Sequence, residues 1–217
     1  KDLLIGNNSS INTFIIMNFL SIDCSTDIGS LFIKAKTKTF SKVLQSDKSN
    51  NDLLMKQILD FFKENTIKFD DISRIYVNQG PGNFSGLRGS IAIAKGISLS
   101  KNLKLYGYNT FLLSCVNFFD KEDSIFSFIK FRKKYYMKKY NKNLKSISNI
   151  KEITEDKILK NYGSKFKIIP NSMKKHFNEK ILKLNNLFFV DLDHNKLELL
   201  QTEGLLDKDL IKPVYLS

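Results

Sequence analysis

The sequence predicts a two-lobed α/β protein, and three patterns along its 217 residues lead to this prediction. Three short stretches rich in β-branched and aromatic residues, at 19–23, 30–36 and 40–45, are joined by brief turns and indicate an antiparallel meander. A helical pattern, a strand and a second helical pattern then follow before residue 101. A further, weaker series of strand and helix patterns begins near residue 124. The two series indicate two lobes.

The first helix is predicted at residues 52–65. Asn51 or Asp52 can cap its amino end, and apolar residues recur along it at helical spacing. This apolar stripe consists of Leu54, Ile58, Phe61 and Phe62. A strand at 72–77 and a helix at 87–100 follow, so the first lobe has the predicted order β-β-β-α-β-α.

A glycine-rich loop between this strand and this helix is the most specific local pattern. Its sequence is Gly80-Pro81-Gly82-Asn83-Phe84-Ser85-Gly86-Leu87-Arg88-Gly89. Glycines allow a close approach to the backbone, and Ser85 is placed to cap the helix, whose free amides would then face outward. The loop can therefore hold an anion or serve as a rigid turn. It lacks the Lys-Ser/Thr of a phosphate loop and the spacing of a dinucleotide fingerprint.

The helix after this loop carries a narrow face of small residues, Gly89, Ala92 and Gly96. Residues three and four apart lie on the same side of a helix, so another helix backbone could come close along this face. That contact can be made within the domain or with a partner protein, and the pattern alone leaves both alternatives open.

The second half of the chain gives weaker patterns. They predict a strand pair within 124–140, a short helix at 154–161, a strand at 165–169, a helix at 172–184 and a strand at 187–190.

The chain is strongly basic, with a formal net charge of +13. Only Arg74, Arg88 and Arg132 are arginines, and the abundance of Lys, Asn, Ile and Phe is what AT-rich coding would produce. The densest basic run is interleaved with aromatic residues, and its cations include Lys130, Arg132, Lys133, Lys134 and Lys138. Such a run can contact an RNA backbone and stack bases. It can also be a strand with one solvated face, which is the interpretation we favour.

The sequence shows no catalytic or metal-binding pattern. Cys24 and Cys115 are too few for a disulfide framework and predict a reduced, cytoplasmic setting. His176 and His194 fit no metal-ligand spacing, and no Gly-x-Ser-x-Gly elbow accompanies them.

The apolar stretch at 11–22 is interrupted and shorter than the ~20 residues of a membrane span. A poorly ordered extension is expected at the amino end.

Four short elements occur in a defined order. They are an opening strand and turn at 18–26, the glycine loop and helix at 80–98, a strand and turn at 104–112, and Lys212-Pro213-Val214-Tyr215-Leu216. Together they resemble the bacterial tRNA threonylcarbamoyladenosine biosynthesis family TsaB, also called YeaZ. Ser217 stands where the family has Arg, and the family's Asp-Ala-Arg and Gly-Glu-Val-Tyr segments are replaced by the basic run around Arg132. The resemblance is good from residue 17 to about 119 and poor between there and the last residues.

The resemblance implies an α/β fold of the actin-like ATPase and sugar-kinase type, which is ribonuclease H-like, with two lobes of which the second is reduced and divergent. It implies an extension at 1–16, a first lobe at 17–119 with the glycine loop and partner helices, and a second lobe at 120–217. In this fold an Asp at the end of the first strand often approaches a magnesium-bound phosphate. Asp23 occupies that position, although we favour a role in capping the following turn.

The resemblance also implies a function. The family member is a non-catalytic scaffold and activating subunit of the complex that forms threonylcarbamoyladenosine next to the anticodon of tRNAs reading codons that begin with A. The implied partners are the catalytic subunit TsaD, the ATPase TsaE and, through the complex, tRNA, with a homodimer expected when TsaD is absent. No catalytic residue, metal, cofactor or membrane contact is implied. The implied partner interface comprises Leu54, Ile58, Phe61, Gly89, Ala92 and Gly96.

Two alternatives stay open. An ATP-dependent enzyme of the same superfamily would bind ATP or ADP at a phosphate site made of Asp23, Gly80, Gly82, Ser85 and Gly86. A tRNA-binding module would use the basic run at 130–140, and its RNA binding would depend steeply on salt.

Overall fold

Two mixed β-sheets of five strands each, one from either half of the chain, organise the molecule. The structure is a computed structural model that describes residues 18–26, 28–44 and 51–216, except for the side chains of residues 51 and 52. The predicted extension at 1–16, the cap at Asn51 or Asp52 and Ser217 lie outside what is described. No helix within the described ranges is long and apolar enough to cross a membrane.

The first sheet confirms the predicted meander. Its strands are β1 (Phe19–Asp23), β2 (Ser30–Ala35), β3 (Lys38–Val43), β4 (Arg74–Asn78) and β5 (Lys104–Tyr108), in the spatial order β3-β2-β1-β4-β5. β2 runs antiparallel to β1 and β3, whereas β4 and β5 run parallel to β1. Ile22 lies beside Leu31 of β2 and Val77 of β4, and all three side chains are buried. β1 is therefore the central strand of the sheet, buried along its whole length.

Two long helices, α1 (Asn51–Glu64) and α2 (Phe84–Lys101), pack together against the first sheet. Their inward side chains join those of the strands in one apolar core, with contributions from Leu54, Ile58, Phe61, Phe62, Ile91, Ala94 and Ile97. Full burial of such a side chain contributes roughly 1.5–3 kcal/mol, so these stripes hold the helices to the sheet. A shorter helix, α3 (Thr110–Cys115), follows β5 and packs against the second sheet.

The second sheet repeats the topology of the first. Its strands are β6 (Ser124–Phe131), β7 (Lys134–Asn141), β8 (Lys151–Ile153), β9 (Lys167–Pro170) and β10 (Leu187–Val190), in the spatial order β8-β7-β6-β9-β10. Again three strands form an antiparallel meander and two more run parallel to its first strand. The helices of this lobe are short, namely α4 (Glu155–Tyr162), α5 (Glu179–Leu182) and α6 (Leu197–Thr202). The strand order is thus kept while the helical layer is reduced.

The structure corrects the helix predicted at 172–184. Asn171–His176 is a short 3-10 helix, and α5 begins separately after Asn178, whose side chain accepts a hydrogen bond from the Lys180 amide at 3.0 Å. Phe177 between the two has an extended backbone, with φ of −87° and ψ of 150°, so one continuous helix is interrupted there. The sequence patterns do not predict β8 or α6, because both are too short to show a clear period.

Helix α6 joins the two lobes through a shared apolar core. Its Leu197 and Leu200 are fully buried in the same cluster as Phe19 of β1 and Tyr76 of β4. The Tyr76 hydroxyl also donates a hydrogen bond to Oε1 of Gln201 at 2.6 Å. The second lobe therefore covers the face of the first sheet opposite to α1 and α2.

The strap, residues 205–216, returns from α6 to the first lobe. Gly107 of β5 and Asp207 exchange two backbone hydrogen bonds, of 2.7 and 2.9 Å. Further along, the Val214 amide donates to the carbonyl oxygen of Gln79 at 2.7 Å. The strap thereby pairs with β5 and with the start of the glycine loop.

Candidate functional site

A broad cleft of about 1620 Å³ lies between the lobes, at the carboxyl ends of β1 and β4. Ligands of open α/β sheets bind at this end of the strands. The first-lobe wall consists of the β1–β2 turn, part of β3 and the glycine loop. The second-lobe wall consists of the β6–β7 turn, the 3-10 helix Asn171–His176 and the segment after β10. The cleft brings together several residues that the sequence singles out, including Asp23, Gly82, Lys130 and Arg132.

The carboxylate of Asp23, at the end of β1, is occupied by donors from the protein itself. Its Oδ1 accepts hydrogen bonds from the amide and hydroxyl of Ser25, at 2.9 and 2.7 Å. Its Oδ2 accepts from Nδ2 of Asn78 in β4 at 2.8 Å. Asn78 also donates to Oγ1 of Thr110 at 3.0 Å and accepts from the Gly80 amide at 2.8 Å. This buried network caps the β1–β2 turn and ties together β1, β4 and α3.

The glycine loop is seated directly on the β1–β2 turn. A Cβ at Gly82 would stand 1.8 Å from the carbonyl oxygen of Ser25, and one at Gly86 would stand 2.5 Å from that of Cys24. The Asn83 amide donates to the same Ser25 oxygen at 2.9 Å. Because no side chain fits in these gaps, the glycines allow the two turns to touch backbone to backbone.

The cap of α2 differs from the prediction. Asn83 is the capping residue, and its side chain accepts a hydrogen bond from the Ser85 amide at 3.1 Å. Ser85 already lies inside the helix, which begins at Phe84. Asn is as effective a cap as Ser, and it stands where the backbone is still extended. Gly80, earlier in the loop, has φ of +103°, a conformation that favours glycine.

His194 reaches the cleft from the segment between β10 and α6, a position that no local pattern in the sequence indicates. Its Nδ1 shares a hydrogen bond of 2.9 Å with Oγ of Ser21, and its ring stacks on Phe32 with centroids 5.6 Å apart. Burial lowers the pKa of His194, outweighing the opposite effect of Asp23 and Asp193. The imidazole is therefore neutral near pH 7.

The second-lobe wall of the cleft is basic. The end of β6 contributes Lys130, the β6–β7 turn contributes Arg132, and the 3-10 helix contributes Lys174 and Lys175. Arg132, Lys174 and Lys175 are exposed to solvent. Sequence reasoning finds the first pair as part of a basic run. It misses the second pair, because only the folding of the second sheet brings the two segments to one wall.

The predicted RNA-binding run is only partly available at the surface. Its tyrosines are buried in the core and cannot stack on bases: Tyr135, Tyr136 and Tyr140. Its cations lie at the end of β6, on the β6–β7 turn and along β7: Lys130, Arg132, Lys133, Lys134 and Lys138. Lys134 pairs with Glu152 at 2.8 Å, and burial lowers the pKa of Lys138. Beyond the turn, β7 is thus a sheet strand with buried tyrosines on both faces.

The part of the predicted partner interface on α1 lies in the apolar core. Leu54, Ile58 and Phe61 are all at most 5% exposed and belong to the core of the first lobe. Their stripe faces the sheet, so they offer no surface to a partner. The apolar side chain that α1 does expose is that of Leu59, which is 48% exposed.

The part of the predicted interface on α2 faces outward. Ala92 and Gly96 are exposed, and Gly89 is half-buried. A Cβ at Gly96 would meet no atom within 4 Å. Leu99, one turn further along, is 84% exposed. These residues form the outer face of α2.

The two thiols are buried and protonated. Burial raises the pKa of Cys24 and of Cys115 to about 12. A thiol must ionise to act as a nucleophile, so neither is activated. Among the described residues, no three or more His, Cys, Asp or Glu side chains are grouped as metal ligands.

Sequence comparison links the chain to known proteins. A family model described as TsaD, tRNA N6-adenosine threonylcarbamoyltransferase, matches residues 45–125. The tRNA threonylcarbamoyladenosine biosynthesis protein TsaB of Buchnera aphidicola subsp. Baizongia pistaciae (strain Bp) is 32% identical over 90 residues, 41% of this chain and 40% of that protein. TsaB of Buchnera aphidicola subsp. Acyrthosiphon pisum (strain APS) is 26% identical over 131 residues, 59% of either chain. The chain thus spans about half the length of the curated relatives it matches.

Structure comparison extends the likeness to nearly the whole chain. YeaZ from Pseudomonas aeruginosa has a TM-score of 0.69 and 14% identity, with 92% of this chain and 100% of that chain covered. A Pseudomonas aeruginosa protein described as similar to peptidase YeaZ has a TM-score of 0.70 and 14% identity, with 93% and 100% covered. At this identity the likeness concerns the fold. It confirms the predicted two-lobed α/β fold of the actin-like, ribonuclease H-like type.

Proposed function

We propose that this chain, a member of the TsaB/YeaZ family by its sequence relatives and its fold, takes part in forming threonylcarbamoyladenosine in tRNA as a non-catalytic subunit. It would bind and activate a TsaD-type transferase, together with a TsaE-type ATPase, and act next to the anticodon of tRNAs that read codons beginning with A. The TsaB names of the sequence relatives support the reaction, and the TsaD-like match over 45–125 supports a first lobe related to the transferase.

The occupied carboxylate of Asp23 is the observation that carries this proposal. An actin-like ATPase needs a carboxylate at this position that is free to approach a hard cation beside phosphate. Asp23 instead accepts three hydrogen bonds from Ser25 and Asn78 and is only 6% exposed. The glycine loop, which would hold the phosphates, is pressed against the same turn. Both features favour a structural role.

Contacts between the lobes support a scaffold rather than a clamp. Actin-like enzymes close on their ligand by hinge movement of the lobes. Here α6 is buried against the first sheet, Lys34 pairs with Glu198 of α6, and the strap binds β5. Opening would expose this apolar core to water, at roughly 25 cal/mol per Å².

The outer face of α2 is the surface that we assign to the transferase. Its small residues would let a partner helix approach closely, because interhelical distance depends on the side chains at the contact. Leu99 adds exposed apolar area on the same side of the helix as Ala92 and Gly96. In the absence of the transferase, the same face would support a homodimer.

A reconstitution tests the proposal. Purified TsaD-type and TsaE-type proteins of the same genome are incubated with threonylcarbamoyl-AMP and unmodified tRNA, with and without this chain. The modified nucleoside is measured by mass spectrometry. We expect modification to require this chain.

The matched variant is Asp23→Asn combined with Asn78→Asp, which moves the carboxylate to the neighbouring strand and keeps the donor–acceptor pair. If the role of Asp23 is structural, this double variant should still support modification. Full modification without the chain would contradict the subunit role. Loss of modification with the folded double variant would point to the ATP-dependent enzyme instead.

A further inference from the structure

We propose that the basic second-lobe wall of the cleft binds the phosphodiester backbone of RNA. The inference deepens the proposed function and rests on it for the identity of the RNA, which would be the tRNA substrate. Its basis is the placement of the β6–β7 turn beside the 3-10 helix Asn171–His176, which gives two cationic segments on one wall.

Charge is distributed unevenly across the cleft. The cations on the second-lobe wall are Lys130, Arg132, Lys174 and Lys175. None of these four forms an ion pair with a described residue. Among the described lining residues, the carboxylates are those of Asp23 and Asp191. Asp23 lies on the first-lobe wall, whereas Asp191, which accepts a hydrogen bond from Nδ2 of Asn171 at 2.9 Å, lies on the second-lobe wall. Four cations thus face one carboxylate among the described residues of the second-lobe wall. The wall therefore presents a positive field to the cleft.

The cationic side chains are supported by the lobe beneath them. Three of the four lie over an aromatic ring, with 4.4 to 5.4 Å between the cationic atom and the ring centroid: Lys130 over Tyr135, Arg132 over Phe131, and Lys174 over Phe189. Such contacts hold a long side chain in place while its charge stays near solvent. The buried tyrosine of the basic run thus orients a lysine instead of stacking on a base.

The distribution of charge in the cleft favours RNA over a free nucleotide. A nucleotide held in the actin-like manner would need its phosphates on the β1–β2 turn. No cation lines the first-lobe wall among the described residues. Cations from two separate segments suit a ligand that presents a row of phosphates.

The test measures RNA binding by the full chain. The probe is a fluorescein-labelled RNA hairpin with an unmodified anticodon loop, and fluorescence anisotropy is recorded from about 50 to about 200 mM KCl. We expect binding that weakens with salt. Arg132→Glu combined with Lys175→Glu should weaken it about tenfold or more and reduce the slope of log K against log salt by about 1 for each lost phosphate contact.

The control variant, Lys63→Glu combined with Lys104→Glu, makes the same change in net charge at exposed residues that do not line the cleft. It should bind the hairpin within about twofold of the unchanged chain. Equal losses of RNA affinity in the two variants would show that the RNA is attracted by net charge alone and would overturn the proposal. An unchanged affinity in the cleft variant, or displacement of the hairpin by MgATP, would overturn it as well.

A parallel pull-down with the TsaD-type protein separates this inference from the proposed function. Both charge variants should retain the partner, because neither alters the outer face of α2. If the unchanged chain binds the partner but not the hairpin, the RNA site is refuted and the subunit role stands. The opposite result is a chain that binds the hairpin but not the partner, with modification proceeding in its absence. In that case the subunit role fails and the RNA site stands.

Discussion

Asp23 and Asn78 form a pair in which one residue accepts and the other donates, inside a network with few exposed atoms. A buried donor or acceptor left without its partner costs about 1–3 kcal/mol. Asp23 accepts from Asn78 at 2.8 Å, and Asn78 accepts from the Gly80 amide at the same distance. The sequence identifies Asp23 as a candidate, but only the pairing of β1 with β4 shows which group occupies its carboxylate.

Exchanging the two residues tests this pairing. Asp23→Asn places two amide donors against each other, and Asn78→Asp places two carboxylates against each other, so each single variant should lose about 1–3 kcal/mol or more. The double variant restores one acceptor facing one donor and should recover most of the loss. Urea unfolding followed by circular dichroism measures the cycle. A double variant no more stable than either single variant would show that the pair is not coupled.

His194 makes the stability of the fold depend on pH. Its pKa is lowered by burial from the ordinary value of about 6.5, so the unfolded chain binds more protons below that pH. The stability that this histidine contributes is thus present above about pH 6.5 and is lost as pH falls toward the folded-state pKa. The loss is at most about 1.4 kcal/mol for each pH unit.

Replacing His194 with Gln should therefore flatten the pH profile. The amide can still bond Ser21, and it does not titrate. Between pH 7 and pH 5 the free energy of unfolding should fall less in His194→Gln than in the unchanged chain, as measured by denaturation at each pH. Parallel profiles for the two proteins would mean that the imidazole stays unprotonated or is solvated in both states.

At the scale of elements, the two glycines Gly82 and Gly96 differ in what surrounds them. A methyl group at Gly82 would collide with the Ser25 carbonyl oxygen at 1.8 Å, whereas one at Gly96 meets open space. Gly82→Ala should force the loop away from the β1–β2 turn and cost several kcal/mol. Gly96→Ala should stabilise α2 by about 0.5–1 kcal/mol through helix propensity. If the glycine loop is a packing element, the melting temperature should fall in Gly82→Ala and rise in Gly96→Ala, as measured by thermal unfolding.

The outer face of α2 is tested by Gly96→Leu. The new side chain points into open space, so the fold should be kept, but it would stand where a partner helix has to approach. We expect co-elution with the TsaD-type protein to be lost. Asn161→Leu adds the same side chain to an exposed position of α4 and serves as the control. Co-elution of the Gly96→Leu variant at unchanged affinity would remove this face from the interface.

Elements of the first lobe are largely predictable, because alternating strands, an apolar helix stripe and turn residues are local patterns. β1 is found at its true bounds, and α1 is displaced by one residue at each end. The predicted partner residues on α1 lie in the core, and the sequence could not show this for a related reason. A stripe such as Leu54, Ile58 and Phe61 looks the same in the sequence whether it meets a sheet of its own lobe or another protein.

At the scale of the molecule, the sequence does not predict how the lobes are joined. Leu197 and Leu200 belong to a helix of six residues, too short for a period, and their partners Phe19 and Tyr76 lie in the first half of the chain. The sequence does not predict the basic wall of the cleft either, because its two segments are far apart along the chain. Only the repeat of the five-stranded topology brings the β6–β7 turn and the 3-10 helix Asn171–His176 to one surface.

A shared core predicts that the lobes unfold together. Leu200→Ala should cost about 2–5 kcal/mol, retain one cooperative transition, and raise hydrogen exchange in β1 of the first sheet as well as in the second lobe. Leu99→Ala, at an exposed site, should stay within about 0.5 kcal/mol of the unchanged chain. Two separate transitions, or faster exchange confined to the second lobe, would contradict a common core.

The strap also sets the order in which the protein can be completed during translation. Gln79 donates from its side chain to the carbonyl oxygen of Lys212, a residue 133 positions later. At roughly 5–20 residues per second, the edge of β5 and the start of the glycine loop wait on the order of ten seconds for this segment to leave the ribosome. In a nascent first lobe, β5 and the residues before the glycine loop thus stay without these hydrogen bonds until nearly all of the second lobe has been made.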